Sequence, residues 1–346
     1  MTPPPRAPLL AAPLLATTVV GSWSVPEWLE RAKTGVHHGS VSRGQLAEMH
    51  DMAVKAALKD QELAGIDIVS DGELRRDNDI DHILSRLPGV TVRNPVKAYY
   101  FDYLDVGIDR PLPEFEPGPL ALAADFAFTR AHTDRPIKFS LTGPFSLARR
   151  VRTEAYADPA ELVRALARAL NAEARSLADA GAELIQIDEP FLAGYPESAA
   201  LAVEAINIVT EGVGVTWALH VCYGNRYARP LWEGHYDFLF PAVLDARVDQ
   251  LVLEFARKGD ADLALIAKYG WDRSLGVGVV DVKSEQVEPE SVIAHRIRRA
   301  VDVVGPEKVL VNPDCGLRHL PAAVARDKLR AMVAATHTLR TELESR

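Results

Sequence analysis

The chain has 346 residues, 48% hydrophobic and 25% charged, with a net charge of −9. That acidity argues against a nucleic-acid or anionic-membrane partner, either of which is met by a basic patch. No run approaches the roughly 20 apolar residues that span a bilayer, and two cysteines allow no disulfide framework, which points to a soluble cytoplasmic protein.

The opening MTPPPRAPLLAAPLLATT carries one Arg and scattered prolines. It is a poor signal peptide, and residues 1–15 read as a flexible N-terminal arm. A first strand is expected over Ala16–Trp23. Ser42, with Gln45 three residues on, predicts a capping box opening a helix that Gly65 stops. IDIVSDGE reads as a second strand ending at Asp71 and Glu73. Residues 77–135 are too long for a simple crossover. Their VTVRNPVKAYYFDY portion suggests a hairpin and the proline-rich part an irregular excursion over one mouth of the fold.

PIKFSLTGP is the third expected strand, and Asp158 with Pro159 opens a helix whose apolar face carries Leu162, Leu166 and Leu170. ELIQIDEP, VTWALHVCYG, DQLVLEFA, SLGVGVVDVKS and KVLVNPDCG supply five further strands. Helices are expected between them over 198–211, 236–246, 261–269 and 289–304, with a last one over 322–339. Short Val/Ile/Leu-rich strands, apolar on both faces, are what a parallel sheet covered on both sides requires. Eight strand–helix units predict a single (β/α)8 barrel domain over 1–346, elaborated between strands two and three. A doubly wound open sheet is the alternative, but GSWSVP stands where its Gly-rich turn belongs.

A barrel presents its chemistry at the carboxyl ends of its strands. Those ends offer Ser22; Asp71 and Glu73; Thr142; Asp188 and Glu189; His220 and Cys222; Glu254; Asp281 and Lys283; and Asn312, Asp314 and Cys315. His220 and Cys222, two apart on one strand, point to the same side. Taken singly, each is ordinary: a lone Cys is usually a small buried hydrophobe. Together, one imidazole, one carboxylate and two thiolates around a shared mouth suit Zn2+. Such an anionic donor set makes zinc a weak Lewis acid but still able to hold an incoming thiol as a thiolate. Thiol alkylation is the expected reaction.

In this order, VSDGELRRDN, LTGP, QIDEP, HVCYGN and NPDCGL resemble the catalytic domain of the cobalamin-independent methionine synthases. The resemblance implies a (β/α)8 barrel holding zinc through His220, Cys222, Glu254 and Cys315. It implies a homocysteine thiolate methylated to methionine. By motif position, Gly21 and Ser22 would hold the amino acid's carboxylate, and Glu73 and Asp188 its ammonium group. Glu189 points the other way and is expected to be structural. Lys283 stands where the long synthases have a His that protonates the departing donor, so Lys283 and Asp188 are the candidate catalytic side chains. The second barrel and the aromatic residue after LTGP that long forms use for folate have no counterpart here. The donor is left open among a methyl-corrinoid, a methylfolate or another small methyl compound, with a methyl-carrier or accessory protein as a possible partner. Two other readings compete. One is zinc-dependent alkylation of another thiol such as coenzyme M; the other is a non-catalytic barrel that binds a corrinoid or methyl carrier.

Overall fold

A computed structural model describes residues 12–345. Among the described residues, nine strands form two sheets. The small sheet holds β1 (Thr91–Asn94), β2 (Asp105–Ile108) and β4 (Val151–Thr153). The large one holds, in spatial order, β3 (Lys138–Thr142), β5 (Leu184–Asp188), β6 (Thr216–Val221), β7 (Gln250–Glu254), β8 (Ser274–Gly278) and β9 (Val309–Asn312). Every pairing in it is parallel, and Asp188 stands opposite His220, Glu254 opposite Gly278. The protein is thus an α/β fold on a parallel sheet.

The first two expected strands are shorter than their apolar runs suggested. They form single parallel bridges, Thr17 to Val311, Thr18 to Ile68 and Val69 to Ile137. Side chains take over part of the pairing there: the Asp67 carboxylate accepts from Thr17 N and Thr17 Oγ1, both at 2.8 Å. Of the anticipated arm, residues 1–11 lie outside the described residues. Leu15 is buried, and Arg340 donates to the carbonyls of Leu14 and Leu15, so this end is tied to the last helix.

The sheet separates two apolar clusters. Ala16, Val20, Ile68, Leu184, Ala218, Val252 and Leu310 pack together on one side, and the much larger cluster lies between strands and helices. The Arg43–Ala64 helix opens with the expected capping box and closes on Gly65 at φ 90°, a left-handed position natural to glycine. Asp158 caps the Pro159–Asp179 helix through Ala160 N.

Three local expectations change. The 236–246 segment forms two 3-10 turns, Tyr236–Leu239 and Ala242–Asp245, because Pro241 between them cannot donate a helical hydrogen bond. The excursion is more ordered than its composition implied: it carries helices Asp79–Leu84 and Leu122–Arg130. Finally, β1 pairs antiparallel with β2, beyond the aromatic run, and β2 pairs parallel with β4, which lies past the third expected strand. No helix among the described residues is long and apolar enough to cross a membrane.

Candidate metal centre

The carboxyl ends of the parallel strands meet at one mouth, a cavity of about 110 Å3. Gly21, Ser22, Glu73, Asp188, His220, Cys222 and Cys315 all line it. Glu254 and Lys283 are not among its lining residues.

His220 sits near the end of β6 with its Nδ1 3.1 Å from the carbonyl of Val252 on β7. That contact places the ring proton on Nδ1, because a carbonyl can only accept. Nε2 is then a bare lone pair, and it is buried without a hydrogen-bond partner. The Sγ atoms of Cys222 and Cys315 are 3.5 Å apart. One ligand atom from each of His220, Cys222 and Cys315 lies within 4.8 Å of the others, so these three can hold a metal ion. The two thiols lie within hydrogen-bond reach of each other. A hydrogen bond from Cys222 drives the Cys315 thiol well below its ordinary range, and the same bond, with burial, pushes Cys222 well above it.

Glu254, the last residue of β7, belongs to the same quarter but not to that tight group. Its Oε2 accepts from Lys283 Nζ at 2.7 Å, while its buried Oε1 has no hydrogen-bond partner. A buried carboxylate oxygen left unsatisfied is costly in a folded chain. Arg257 Nη2 stands 3.8 Å from that oxygen, beyond hydrogen-bond reach, which leaves the oxygen open to a closer cation. Burial opposes the charge on Lys283, but the Glu254 carboxylate, with both thiols behind it, keeps its pKa above the usual lysine value. Asp281 contributes only to the backbone, its Oδ1 accepting from Lys283 N at 2.8 Å.

The acidic side of the mouth is equally built. Glu73 follows Gly72, and both have left-handed backbones, φ 53° and 68°, an expensive conformation for a residue with a side chain. Ser140 Oγ donates to Glu73 Oε1 at 2.6 Å. A Cβ on residue 21 would come within 2.4 Å of that same oxygen, so Gly21 is what lets the carboxylate lie against the backbone. Asp188 accepts from Gln186 Nε2 at 2.7 Å. Its pKa is pushed up to about 7 by burial, with the like charge of Glu73 adding to the rise. A Cβ on Gly316 would stand 1.9 Å from Ser22 Oγ, so the loop after Cys315 must be glycine at this point to leave room for the hydroxyl.

Glu189 turns away from the mouth, as its alternation with Asp188 requires. Its carboxylate accepts from Phe145 N, Ser146 N and Ser146 Oγ, tying β5 to the turn after β3. Asp314 is also a clamp: it accepts from the backbone N–H groups of Phe255, Ala256 and Arg257, which locks the end of β7 beside Cys315.

Three residues escaped the sequence reading. The Tyr236 hydroxyl donates to Val221 O at 2.9 Å and accepts from Glu254 N at 3.0 Å, joining the ends of β6 and β7. Nothing in WEGHYDF announces this, since the partners are backbone atoms. Asn225 Nδ2 donates to Gly316 O at 3.0 Å, joining two rim loops. Arg318, buried and lining the mouth, was legible only as a charge shortly after Cys315.

A family model, curated relatives and a solved structure point to one family. Residues 15–338 match the family model described as the catalytic domain of cobalamin-independent synthase. The methionine synthase of Saccharolobus solfataricus is 36% identical over 332 residues, 96% of this chain and 97% of that one. That of Sulfurisphaera tokodaii is 34% identical over 334 residues, 96% and 95% of the two chains. Among solved structures, a B12-independent methionine synthase from Shewanella sp. W3-18-1, in complex with selenomethionine, superposes with a TM-score of 0.83 at 26% identity. The match covers 96% of this chain and all (100%) of that one. The chain therefore belongs to the cobalamin-independent methionine synthase family, as a form of its catalytic domain.

Proposed function

We propose that the protein is a zinc-dependent methyltransferase that binds homocysteine through sulfur and methylates it to methionine, on one domain closed as a (β/α)8 barrel. The bridges through Thr17, Thr18 and Val69 support closure, because they pair β9, the two short segments and β3 in succession. The observation that carries the activity is the buried Nε2 of His220, without a hydrogen-bond partner, beside two thiols 3.5 Å apart.

His220, Cys222 and Cys315 would hold the ion, and Glu254 would add its unsatisfied Oε1. Bound there, zinc supplies thiol activation, keeping the substrate sulfur as a thiolate that the anionic donor set leaves nucleophilic. Gly21 and Ser22 meet the amino acid's carboxylate. Glu73 and Asp188 meet its ammonium group, and the pKa of Asp188, raised by burial and by the like charge of Glu73, is what a buried carboxylate should show before a cation arrives. In the transfer, the S–CH3 bond forms as the bond from the methyl group to the donor breaks, and the donor departs with that electron pair. Lys283 acts first by holding Glu254 Oε2; protonating the departing donor would require it to leave that contact. Selenomethionine in the Shewanella structure is the selenium analogue of the product this reading assigns.

The test is a donor panel. Zinc-loaded protein with homocysteine should form methionine from at least one of methyl-corrinoid, methylfolate or a small methyl compound, with or without a carrier protein. Protein that binds stoichiometric zinc yet yields no methionine with any donor contradicts the reading.

A further inference from the structure

Beside the mouth lies a second cavity of about 490 Å3, and Phe101 and Arg318 line both. Its walls include Tyr99, Tyr100, Tyr227 and His319. Phe101 meets Tyr227 at 5.7 Å and His319 at 5.2 Å, both edge-on, and Tyr227 meets His319 at 5.6 Å. Arg226 packs over the rings of Phe101 and Tyr227, 5.4 Å from each centroid.

Tyr100 and Phe101 belong to the large apolar cluster, with Tyr99 packed against it, but core packing does not account for Tyr227. Tyr227 is 51% exposed, and it and Ala228 both have left-handed backbones, φ 53° and 56°. Two consecutive residues with side chains in that region are expensive, and the result is a ring held at the rim rather than buried. Two polar atoms at the boundary are also unsatisfied. Arg318 Nη2 and His319 Nε2 are buried with no hydrogen-bond partner, although Arg318 is only 8% exposed and its nearest carboxylate, Glu73, is 4.0 Å away. Apolar rings with a few convergent, unpaired polar groups are the composition of a ligand site.

We propose that this cavity is a subsite for the second reactant. It grips a flat conjugated ring system by stacking on Tyr227 and His319, with Arg318 Nη2 donating to an oxygen acceptor on the ring or on its substituents. The assignment rests on the methyl-transfer reading, in which two reactants must meet at one mouth. The shared wall of Phe101 and Arg318 puts a ring held here beside the mouth where the thiol would bind.

Isothermal titration of the zinc-loaded full chain tests this, with the monoglutamate 5-methyltetrahydrofolate and methylcobalamin as separate probes. At least one probe should bind the wild type. Its Kd should weaken on the order of tenfold in Tyr227→Ala and in His319→Ala, the loss of one ring contact. The homocysteine Kd of the same preparations should stay unchanged. The probe that responds identifies the ring. Failure of both probes to bind at millimolar concentration, or equal binding by wild type and variants, overturns the proposal. Tyr227 is exposed, so its truncation leaves the fold intact. Loss of ring affinity in a protein that never binds homocysteine would uphold the subsite and sink the reading of the acceptor.

Discussion

Replacing Tyr236 by phenylalanine removes one oxygen and almost no volume, yet that oxygen joins two strand ends. Tyr236 is 1% exposed, so water does not take its place. The Glu254 N–H then loses its acceptor and the Val221 carbonyl its donor. An unsatisfied buried donor costs about 1–3 kcal/mol, and the lost bond to the carbonyl about 0.5–1.5 kcal/mol more, for a total of roughly 2–4 kcal/mol. Denaturant unfolding of metal-free wild type and variant should show that difference. Because the same N–H sets the position of the Glu254 carboxylate, zinc affinity measured by chelator competition should also fall, by about tenfold or more. Stability within 0.5 kcal/mol of wild type, on the order of measurement error, together with unchanged zinc affinity, would refute the reasoning.

Three further outcomes are expected. Gly316→Ala should raise the KM for homocysteine while leaving zinc content intact, since the new Cβ would stand 1.9 Å from Ser22 Oγ and displace the hydroxyl; steady-state kinetics with metal analysis checks it. Burial raises the pKa of Glu189 from 4.5 to about 7, against the hydrogen bonds from Ser146 and Phe145. With the folded value above the unfolded one, its contribution to stability is full below pH ~4.5 and is lost as pH rises through ~7. Melting temperatures from pH 4.5 to 7 should fall more steeply for wild type than for Glu189→Gln. Stripping the metal in air should let the Cys222 and Cys315 thiols, 3.5 Å apart, close as a disulfide. Intact mass should then show the loss of two hydrogens, restored by reductant.

Sequence periodicity was enough to place β3 and β5 to β9, because strands apolar on both faces have few other uses. It was also enough to bring His220, Cys222 and Cys315 to one mouth, since strand ends in a parallel sheet share a side. It overstated the first two strands: Asp67 pairs with backbone and side chain of Thr17, a substitution of side chain for ladder that no alternation reveals. It also could not separate ligand from brace. Asp314 and Glu254 both end apolar runs, but one spends its oxygens on three backbone N–H groups and the other keeps one bare. Lys283 shows the same limit. Its partner could have been Asp281 or Asp314 by proximity in sequence or at the mouth; the side chain instead reaches Glu254.

The central claim is that the substrate's sulfur binds a zinc already held by two cysteines. X-ray absorption at the zinc edge counts sulfur neighbours near the Zn–S distance of roughly 2.3 Å. The zinc-loaded protein should show the two sulfurs of Cys222 and Cys315, and homocysteine should add one more. A sulfur count that stays the same at saturating homocysteine would contradict the account.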